Sequence, residues 1–162
     1  LIGVRQRDLL ASIRTHFLHI PSTAETGVPM ALNLLKAGHT LTVWNRTEAA
    51  CQPLVDAGAT LASSAAGVCE KSELTFVMVS TPEAALFCAK AAAPGLSAGK
   101  GYVDVSTVDP SSARTIADHI RSTGAEFLEA PVSGSKAPAE QGTLIFMVWF
   151  STLKGKQLYS NY

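Results

Sequence analysis

Short β-prone runs alternate with helix-length runs along most of this chain. The run from Leu74 to Val79 is almost entirely apolar, as expected of a strand buried on both faces. Further strands are predicted over Tyr102 to Val105 and Glu126 to Glu129, with a helix between them that ends at Gly124. Strand–helix–strand units of this size form right-handed connections within a parallel sheet. The sequence therefore predicts a doubly wound α/β fold whose sheet is mainly parallel.

The stretch from Gly27 to Thr47 contains one such unit in its clearest form. Apolar residues recur at helical spacing after Gly27, and Gly38 suits the position just past the last helical turn. A β-prone run from Leu41 to Trp44 follows. Asn45-Arg46-Thr47 then stands where this strand ends, which in an open α/β sheet is the end that faces ligands.

Arg46 stands where dinucleotide-binding folds read the adenine ribose. In these folds a side chain roughly 20 residues past the glycine loop is an acid for the 2′-hydroxyl of NAD or an arginine for the 2′-phosphate of NADP. No acid stands beside Arg46 before Glu48. Because a guanidinium can bind a phosphate through two hydrogen bonds, the position favours NADP. The alternative is an arginine in a solvated turn, and spacing alone does not separate the two.

The glycine loop that should precede this helix is altered. With Gly27 as the third glycine of a G-x-G-x-x-G pattern, Ser22 and Ala24 occupy the other two positions. Glu25 adds a carboxylate where a pyrophosphate needs room at the helix N-terminus. The alternative is that Ser22 and Glu25 form a capping box, with Pro29 bending the helix. The altered loop is therefore expected to weaken binding of a cofactor.

Hydroxyl-bearing residues also follow the other predicted strands. Ser80, Thr81 and Pro82 follow the central apolar strand, and Ser106 and Thr107 follow the next strand. The end of the central strand is a place where ligands bind in such folds, so the hydroxyl groups of Ser80 and Thr81 are candidates for contact with a ligand. The alternative is that the Ser and Thr side chains only cap the helices that follow.

Charge and composition argue against two classes of partner. The chain has 162 residues, of which 13 are basic, 13 are acidic and 47% are apolar. The lack of a basic excess argues against nucleic acid, and no apolar run approaches the ~20 residues of a membrane span. Cys51, Cys69 and Cys88 are isolated and lack metal-ligand spacing. We therefore expect buried thiols in a reducing compartment and no metal site.

The chain divides into three segments. We predict a single nucleotide-binding domain over residues 21–148. Residues 1–20 carry three arginines against one aspartate, and this extension is a remnant of an organelle transit peptide, an ordinary amphipathic segment or a degenerate first strand. Residues 149–162 form a divergent, polar C-terminal tail.

Three runs at the predicted strand ends indicate a family. Asn45-Arg46-Thr47, GKGYVDVSTVD (Gly99 to Asp109) and TGAEFLEAPVSGSKAPAEQGTLIF (Thr123 to Phe146) resemble the β-hydroxyacid dehydrogenases, relatives of 6-phosphogluconate dehydrogenase and 3-hydroxyisobutyrate dehydrogenase. In particular they are similar to the plant glyoxylate/succinic semialdehyde reductases of the organelle-targeted type. The resemblance covers about residues 27–147 and implies a Rossmann-like NADP-binding domain.

The resemblance also implies a role for each strand end. The glycine loop and the following helix would hold the NADP pyrophosphate, and Thr107 would lie near the nicotinamide. Ser133 and Gly134 would hold the carboxylate of a small aldehyde or hydroxy acid, with glyoxylate and succinic semialdehyde as the expected substrates of reduction by NADPH. The implied cofactor-binding residues are Ser22, Ala24, Gly27, Met30, Asn33, Asn45, Arg46, Thr47, Ser80, Thr81, Pro82 and Thr107.

The catalytic lysine of the family has no counterpart in this sequence. In the family an all-helical C-terminal domain supplies that lysine and the dimer interface, whereas here Lys136 lies in the substrate loop and Lys154 and Lys156 lie in the tail. Loss of a general acid typically costs about 10² to 10⁴ in rate. We therefore assign no catalytic residue and expect the chain alone to be a poor catalyst or none.

Three hypotheses about function follow. The chain is the cofactor domain of an NADPH-dependent reductase, a non-catalytic dinucleotide-binding module that pairs with a complete subunit in a homo- or hetero-oligomer, or a remnant whose pyrophosphate site is closed. The expected compartment is the chloroplast or the mitochondrion, with the cytoplasm as the alternative.

Overall fold

A computed structural model describes residues 2–5 and 26–148 of the chain. Strands and helices alternate over the second range, as the sequence predicts. The strands are β1 (Ile2–Arg5), β2 (Thr42–Val43), β3 (Thr60–Leu61), β4 (Leu74–Val77), β5 (Gly101–Asp104), β6 (Glu126–Glu129), β7 (Val132–Ser133) and β8 (Ile145–Val148). The α-helices are α1 (Gly27–Lys36), α2 (Gln52–Asp56), α3 (Ala65–Lys71), α4 (Pro82–Ala92), α5 (Pro110–Arg121) and α6 (Lys136–Gln141). Short 3₁₀ helices at Glu48–Cys51 and Ala93–Gly95 precede α2 and follow α4.

The parallel strands predicted from the sequence are present. β4, β5 and β6 lie side by side in that order, and β2 pairs with β3, all in parallel. The α/β fold class is therefore confirmed. β1, β8 and β7 form an antiparallel group, which the sequence analysis did not predict. Only residues 134–144 connect β7 to β8, which is shorter than the roughly dozen residues that a parallel crossover needs.

Helix α1 confirms the helix, glycine stop and strand predicted after Gly27. It buries Met30, Ala31 and Leu34 on one face. The helix ends at Lys36, and Gly38 adopts a φ of 87°, a left-handed conformation that glycine reaches without steric cost. The chain then reverses direction into the buried strand β2.

Side-chain caps set the start of three helices. Ser64 Oγ accepts a hydrogen bond of 3.0 Å from the first turn of α3, and Thr81 Oγ1 accepts one of 3.2 Å at α4. Asp109 Oδ1 accepts two backbone N–H groups of α5, each at 3.0 Å. Each cap satisfies donors that a helix N-terminus leaves unpaired, and such a cap contributes about 1 kcal/mol. Thr81 therefore caps α4 as the capping interpretation predicts, and its contact with a ligand stays a prediction.

The core is built on the two central strands. Phe76 of β4 and Tyr102 of β5 are almost completely buried, and the Tyr102 ring stacks on Phe127 of β6 with centroids 6.1 Å apart. Burial of an aromatic side chain of this size contributes about 1.5–3 kcal/mol. Helix α4 packs between α3 and α5, whereas α1 packs against α2 and α6. The core therefore holds the strand ends, where ligands bind in such folds, in fixed positions.

Lys100 ties the C-terminus of α3 to the start of β5. Its Nζ donates hydrogen bonds to the carbonyl oxygens of Cys69 at 2.6 Å, Glu70 at 3.0 Å and Ser72 at 2.8 Å. Carbonyl groups at a helix C-terminus lack intrahelical partners, and a positive charge there is favourable. Lys100 is therefore a cap supplied from outside the helix.

Several predictions concern the whole chain, whereas the structure describes only part of it. Cys51, Cys69 and Cys88 are buried free thiols, as predicted, and burial raises the pKa of each. Within residues 2–5 and 26–148, no helix has the length and apolar character needed to cross a membrane, and no three candidate metal ligands lie together. The tail 149–162 lies outside the described residues, and only Ile2–Arg5 of the N-terminal extension lies within them.

Candidate functional site

The loops that follow β4 and β5 are joined by a buried hydrogen bond. Val79 N donates to Ser106 Oγ at 3.0 Å, and Ser106 N donates to Asp104 Oδ1 at 2.9 Å. Ser80 and Thr107 are the next residues after the two ends of this bond. The hydroxyl of Ser106 therefore fixes one predicted cofactor-binding loop relative to the other.

An open cleft of about 360 Å³ lies between the loop after β2 and the first turns of α4. It brings together five residues that the sequence analysis assigned to the cofactor, which are Asn45, Arg46, Thr47, Ser80 and Thr81. The other lining residues are Val79, Glu83, Ala84, Phe87 and Cys88. We call this space the α4 cleft.

A short turn presents Arg46 to the α4 cleft. Asn45 is only 5% exposed, and its Oδ1 accepts a hydrogen bond of 2.9 Å from Thr47 N. The side chain of Arg46 between them is exposed. Burial is the main cause that raises the pKa of the Cys88 thiol to about 12, and the negative charge of Asp104 adds to this rise. The positive charge of Arg46 opposes it. The guanidinium therefore acts across the cleft on α4.

Glu83 and Phe87 are lining residues of the cleft that the sequence analysis missed. Both lie on α4 and both are exposed. A signal was present in the sequence, because the buried stripe of α4 consists of small side chains and Phe87 falls outside it. That stripe is Ala85, Cys88, Ala89 and Ala92.

Asp104 lies beneath the loop after β5 and is only 1% exposed. Burial raises the pKa of this carboxyl group, and the hydrogen bonds from Ser106 oppose the rise. Its Oδ2 has no hydrogen-bond partner. This buried carboxyl group therefore orients Ser106 from beneath the loop.

The residues predicted to hold the pyrophosphate lie outside the α4 cleft or outside the described residues. Met30 is 1% exposed and packs in the core. Asn33 Nδ2 donates a hydrogen bond of 2.7 Å to the carbonyl oxygen of Ala139, which joins α1 to α6. Gly27 is buried in the first turn of α1. Contact of Gly27, Met30 and Asn33 with a cofactor stays a prediction. Ser22 and Ala24 lie outside the described residues.

The remaining predicted site residues lie on other loops at the strand ends. Pro82 is the first residue of α4, and Thr107 is exposed after β5. Ser133 ends β7 and is exposed, as is Gly134. Gly134 has a φ of 134°, and a Cβ atom there would lie 2.5 Å from Leu144 Cδ2. The turn after β7 therefore favours glycine at this position, because other residues rarely adopt this positive φ.

The sequence matches the NAD binding domain of 6-phosphogluconate dehydrogenase over residues 23–150. The chain belongs to this family. The parallel sheet of the 6-phosphogluconate dehydrogenase-type domain and the cleft at its carboxyl edge agree with binding of a nicotinamide dinucleotide.

Other members of the family share this domain with the chain. Glyoxylate/succinic semialdehyde reductase 2, chloroplastic, of Arabidopsis thaliana is 51% identical over 156 residues, which are 94% of this chain and 42% of the relative. The chain therefore spans less than half the length of that relative.

Solved structures agree with the observed fold. The 3-hydroxyisobutyrate dehydrogenase of Mycobacterium tuberculosis with L-serine matches with a TM-score of 0.77 at 26% identity, over 84% of this chain and 46% of that chain. The reductive aminase of Aspergillus terreus in complex with NADPH and ethyl levulinate matches with a TM-score of 0.67 at 31% identity, over 78% of this chain and 44% of that chain.

Proposed function

We propose that this chain is the NADP-binding domain of an oxidoreductase that reduces small aldehyde acids, such as glyoxylate and succinic semialdehyde, with NADPH. The observation that carries the proposal is the α4 cleft, where Arg46 faces the first turns of α4. Two similarities support it. The Arabidopsis relative is named for both aldehydes, and the Aspergillus structure is a complex with NADPH.

The residues of the α4 cleft fit the adenosine end of NADP. The volume of about 360 Å³ falls within the range of ligand clefts. Arg46 is exposed, and its planar guanidinium can donate two parallel hydrogen bonds to a 2′-phosphate. The hydrogen bond from Thr47 N to Asn45 holds the turn from which Arg46 projects. The backbone turn that carries Arg46 would therefore need little rearrangement when a nucleotide binds.

The reacting end of the cofactor belongs, on this proposal, with the loops after β5 and β7. When bound, the reduced nicotinamide supplies the hydride that reduces the aldehyde carbon. Ser106 fixes the loop that carries Thr107, and Thr107 would orient the nicotinamide. Ser133 and Gly134 are exposed in a turn whose backbone N–H groups suit a small carboxylate. These residues bind and orient the reactants.

Protonation of the nascent alkoxide needs a donor that we do not find among the described residues at the substrate turn. Lys136 follows that turn, and its Nζ lies 3.9 Å from Glu140 Oε1 with both side chains largely exposed. An exposed lysine does not replace a positioned general acid, whose loss costs about 10² to 10⁴ in rate. We therefore propose that this polypeptide turns over poorly by itself.

The first test is titration of the purified chain with NADPH and, separately, NADH, followed by nicotinamide fluorescence. Arg46→Ala should weaken NADPH binding by ~1.5–3 kcal/mol, the range for a hydrogen bond to a charged group, and should leave NADH binding nearly unchanged. Arg114→Ala, which removes an exposed arginine of α5, is the matched control and should change neither. Equal losses for both nucleotides in Arg46→Ala would contradict a 2′-phosphate site.

The altered glycine loop gives a second test. NADPH binding that appears only after Ala24→Gly is combined with Glu25→Ile would show a closed pyrophosphate site in a domain that still folds. NADPH binding without turnover of either aldehyde would favour the non-catalytic module. Turnover of glyoxylate at the rate of the Arabidopsis relative would overturn the proposal that the chain is a poor catalyst.

Location and assembly are part of the same proposal. The name of the Arabidopsis relative includes "chloroplastic", which supports an organelle for this chain. Import into isolated chloroplasts or mitochondria would test the compartment. Light scattering with and without a full-length relative would test homo- and hetero-oligomers.

A further inference from the structure

Phe87 presents an exposed aromatic ring to the α4 cleft. Its side chain is 51% exposed, the largest value among the exposed large hydrophobic residues described. The other two, Leu61 and Ile145, lie on β3 and β8 and do not line the cleft. An aromatic ring on the wall of a ligand cleft offers a flat apolar face on which a planar base can stack.

Glu83 lies one helical turn before Phe87. Residues four apart are neighbours on a helix surface, and both of these side chains line the same cleft. Glu83 is exposed, and no basic group of the described residues forms an ion pair with it. An ionised carboxylate only accepts hydrogen bonds. The wall formed by α4 therefore combines an apolar face with an acceptor.

Arg46 occupies the opposite wall, where it is the phosphate-binding group of the proposed function. A nucleotide whose 2′-phosphate binds Arg46 would have its base directed either towards α4 or into solvent. Adenine carries an amino group at C6, which donates hydrogen bonds, beside a large π-face. The wall of α4 supplies the complement to both features.

We propose that α4 recognises the base of the dinucleotide, with Phe87 stacked on adenine and Glu83 accepting a hydrogen bond from its C6 amino group. This inference rests on the proposed function, because it places the base in the cleft that holds the 2′-phosphate. It adds selectivity for the base. Hypoxanthine carries a carbonyl oxygen at C6, which would place one acceptor against another.

Both residues also have structural roles that a test must separate. A carboxylate in the first turn of α4 favours the helix, and the ring of Phe87 covers part of the helix surface. Such roles change the stability of the fold and affect all ligands alike. Recognition of the base changes the ratio of affinities for two bases.

The experiment is calorimetric titration of the full chain with adenosine 2′,5′-bisphosphate and with inosine 2′,5′-bisphosphate, which differ at the C6 edge of the base. The wild-type chain should bind the adenosine compound about tenfold more tightly or better. Phe87→Ala should weaken both compounds by about 5- to 150-fold and leave their ratio unchanged. Glu83→Gln should bring the ratio close to one, because an amide can also donate to the hypoxanthine oxygen.

Matched controls are Leu61→Ala and Glu126→Gln, an exposed apolar and an exposed acidic residue outside the cleft, which should change neither affinity. Thermal unfolding of each variant verifies that it is folded. An unchanged ratio in Glu83→Gln, or unchanged affinities in Phe87→Ala, overturns this inference alone. Absence of binding to the wild-type chain, or binding that is indifferent to Arg46→Ala, overturns the proposed function and this inference together.

Discussion

Replacement of Lys100 by methionine tests how much an external cap contributes to this fold. Methionine keeps most of the length and apolar volume of the side chain and removes the three donors of Nζ. The carbonyl oxygens of Cys69 and Ser72 are partly buried, whereas the carbonyl of Glu70 is exposed and returns to water. The variant therefore isolates two partly buried, charge-assisted hydrogen bonds.

The expected loss in the free energy of unfolding is about 2–3 kcal/mol. A hydrogen bond to a charged group contributes about 1.5–3 kcal/mol, and the favourable charge at the helix C-terminus adds about 0.3–1 kcal/mol. Simple addition of three bonds would overestimate the effect, because one ammonium group serves all three carbonyls and stays partly solvated.

Urea unfolding followed by circular dichroism measures this loss, and Lys71→Met is the matched control. Lys71 lies in the last turn of the same helix and is exposed, so its removal changes the charge near the helix end without breaking the bonds of Lys100. The control should lose about 0.3–1 kcal/mol. Equal losses in the two variants would refute the reasoning, because they would show that the hydrogen bonds of Nζ add nothing to the charge.

Three further predictions concern the loops and the buried groups beneath them. Ser106→Ala should lower the free energy of unfolding by about 1–3 kcal/mol, because the buried N–H of Val79 loses its acceptor; Ser122→Ala, an exposed site, is the control in urea unfolding. Burial raises the pKa of Asp104 above 3.8, so the native state binds more protons than the unfolded state above about pH 4 and loses stability as the pH rises through this range. Asp104→Asn should remove that downward slope, and an identical slope in the variant would exclude Asp104 as its origin. Because burial raises the pKa of Cys88 to about 12, a thiol reagent at neutral pH should label Cys88 only after unfolding, as located by mass spectrometry of peptides; rapid labelling of the native chain would contradict its burial.

The arrangement of the strand ends could be predicted from the sequence for a simple geometric reason. Parallel strands separated by helices place their carboxyl ends at one edge, so Arg46 and Ser80 were expected near each other despite their separation in the chain. The α4 cleft brings them together. The helix starts could also be predicted from the sequence, because Asp109 and Thr81 accept hydrogen bonds from backbone N–H groups no more than three residues away.

Features that depend on tertiary packing could not be predicted from local patterns in the sequence. The antiparallel pairing of β7 with β8 depends on α6, which occupies a run interrupted by Pro138 that local patterns do not predict as a helix. The buried bond between Val79 and Ser106 joins residues 27 positions apart, and no local pattern distinguishes that serine from a cap. Phe87 was missed because the cleft that its ring lines forms only where α4 packs beside the loop after β2.

The hydrogen bond between Val79 and Ser106 couples the position of the loop after β4 to that of the loop after β5. The loop after β4 carries Ser80 and Thr81, which line the α4 cleft, and the loop after β5 carries Thr107, which the proposed function assigns to the reacting end. Neither loop can shift by more than a fraction of an ångström unless the other moves with it or the bond breaks. Under the proposed function, the spacing between the adenosine end and the reacting end of the dinucleotide would therefore depend on this one hydroxyl group.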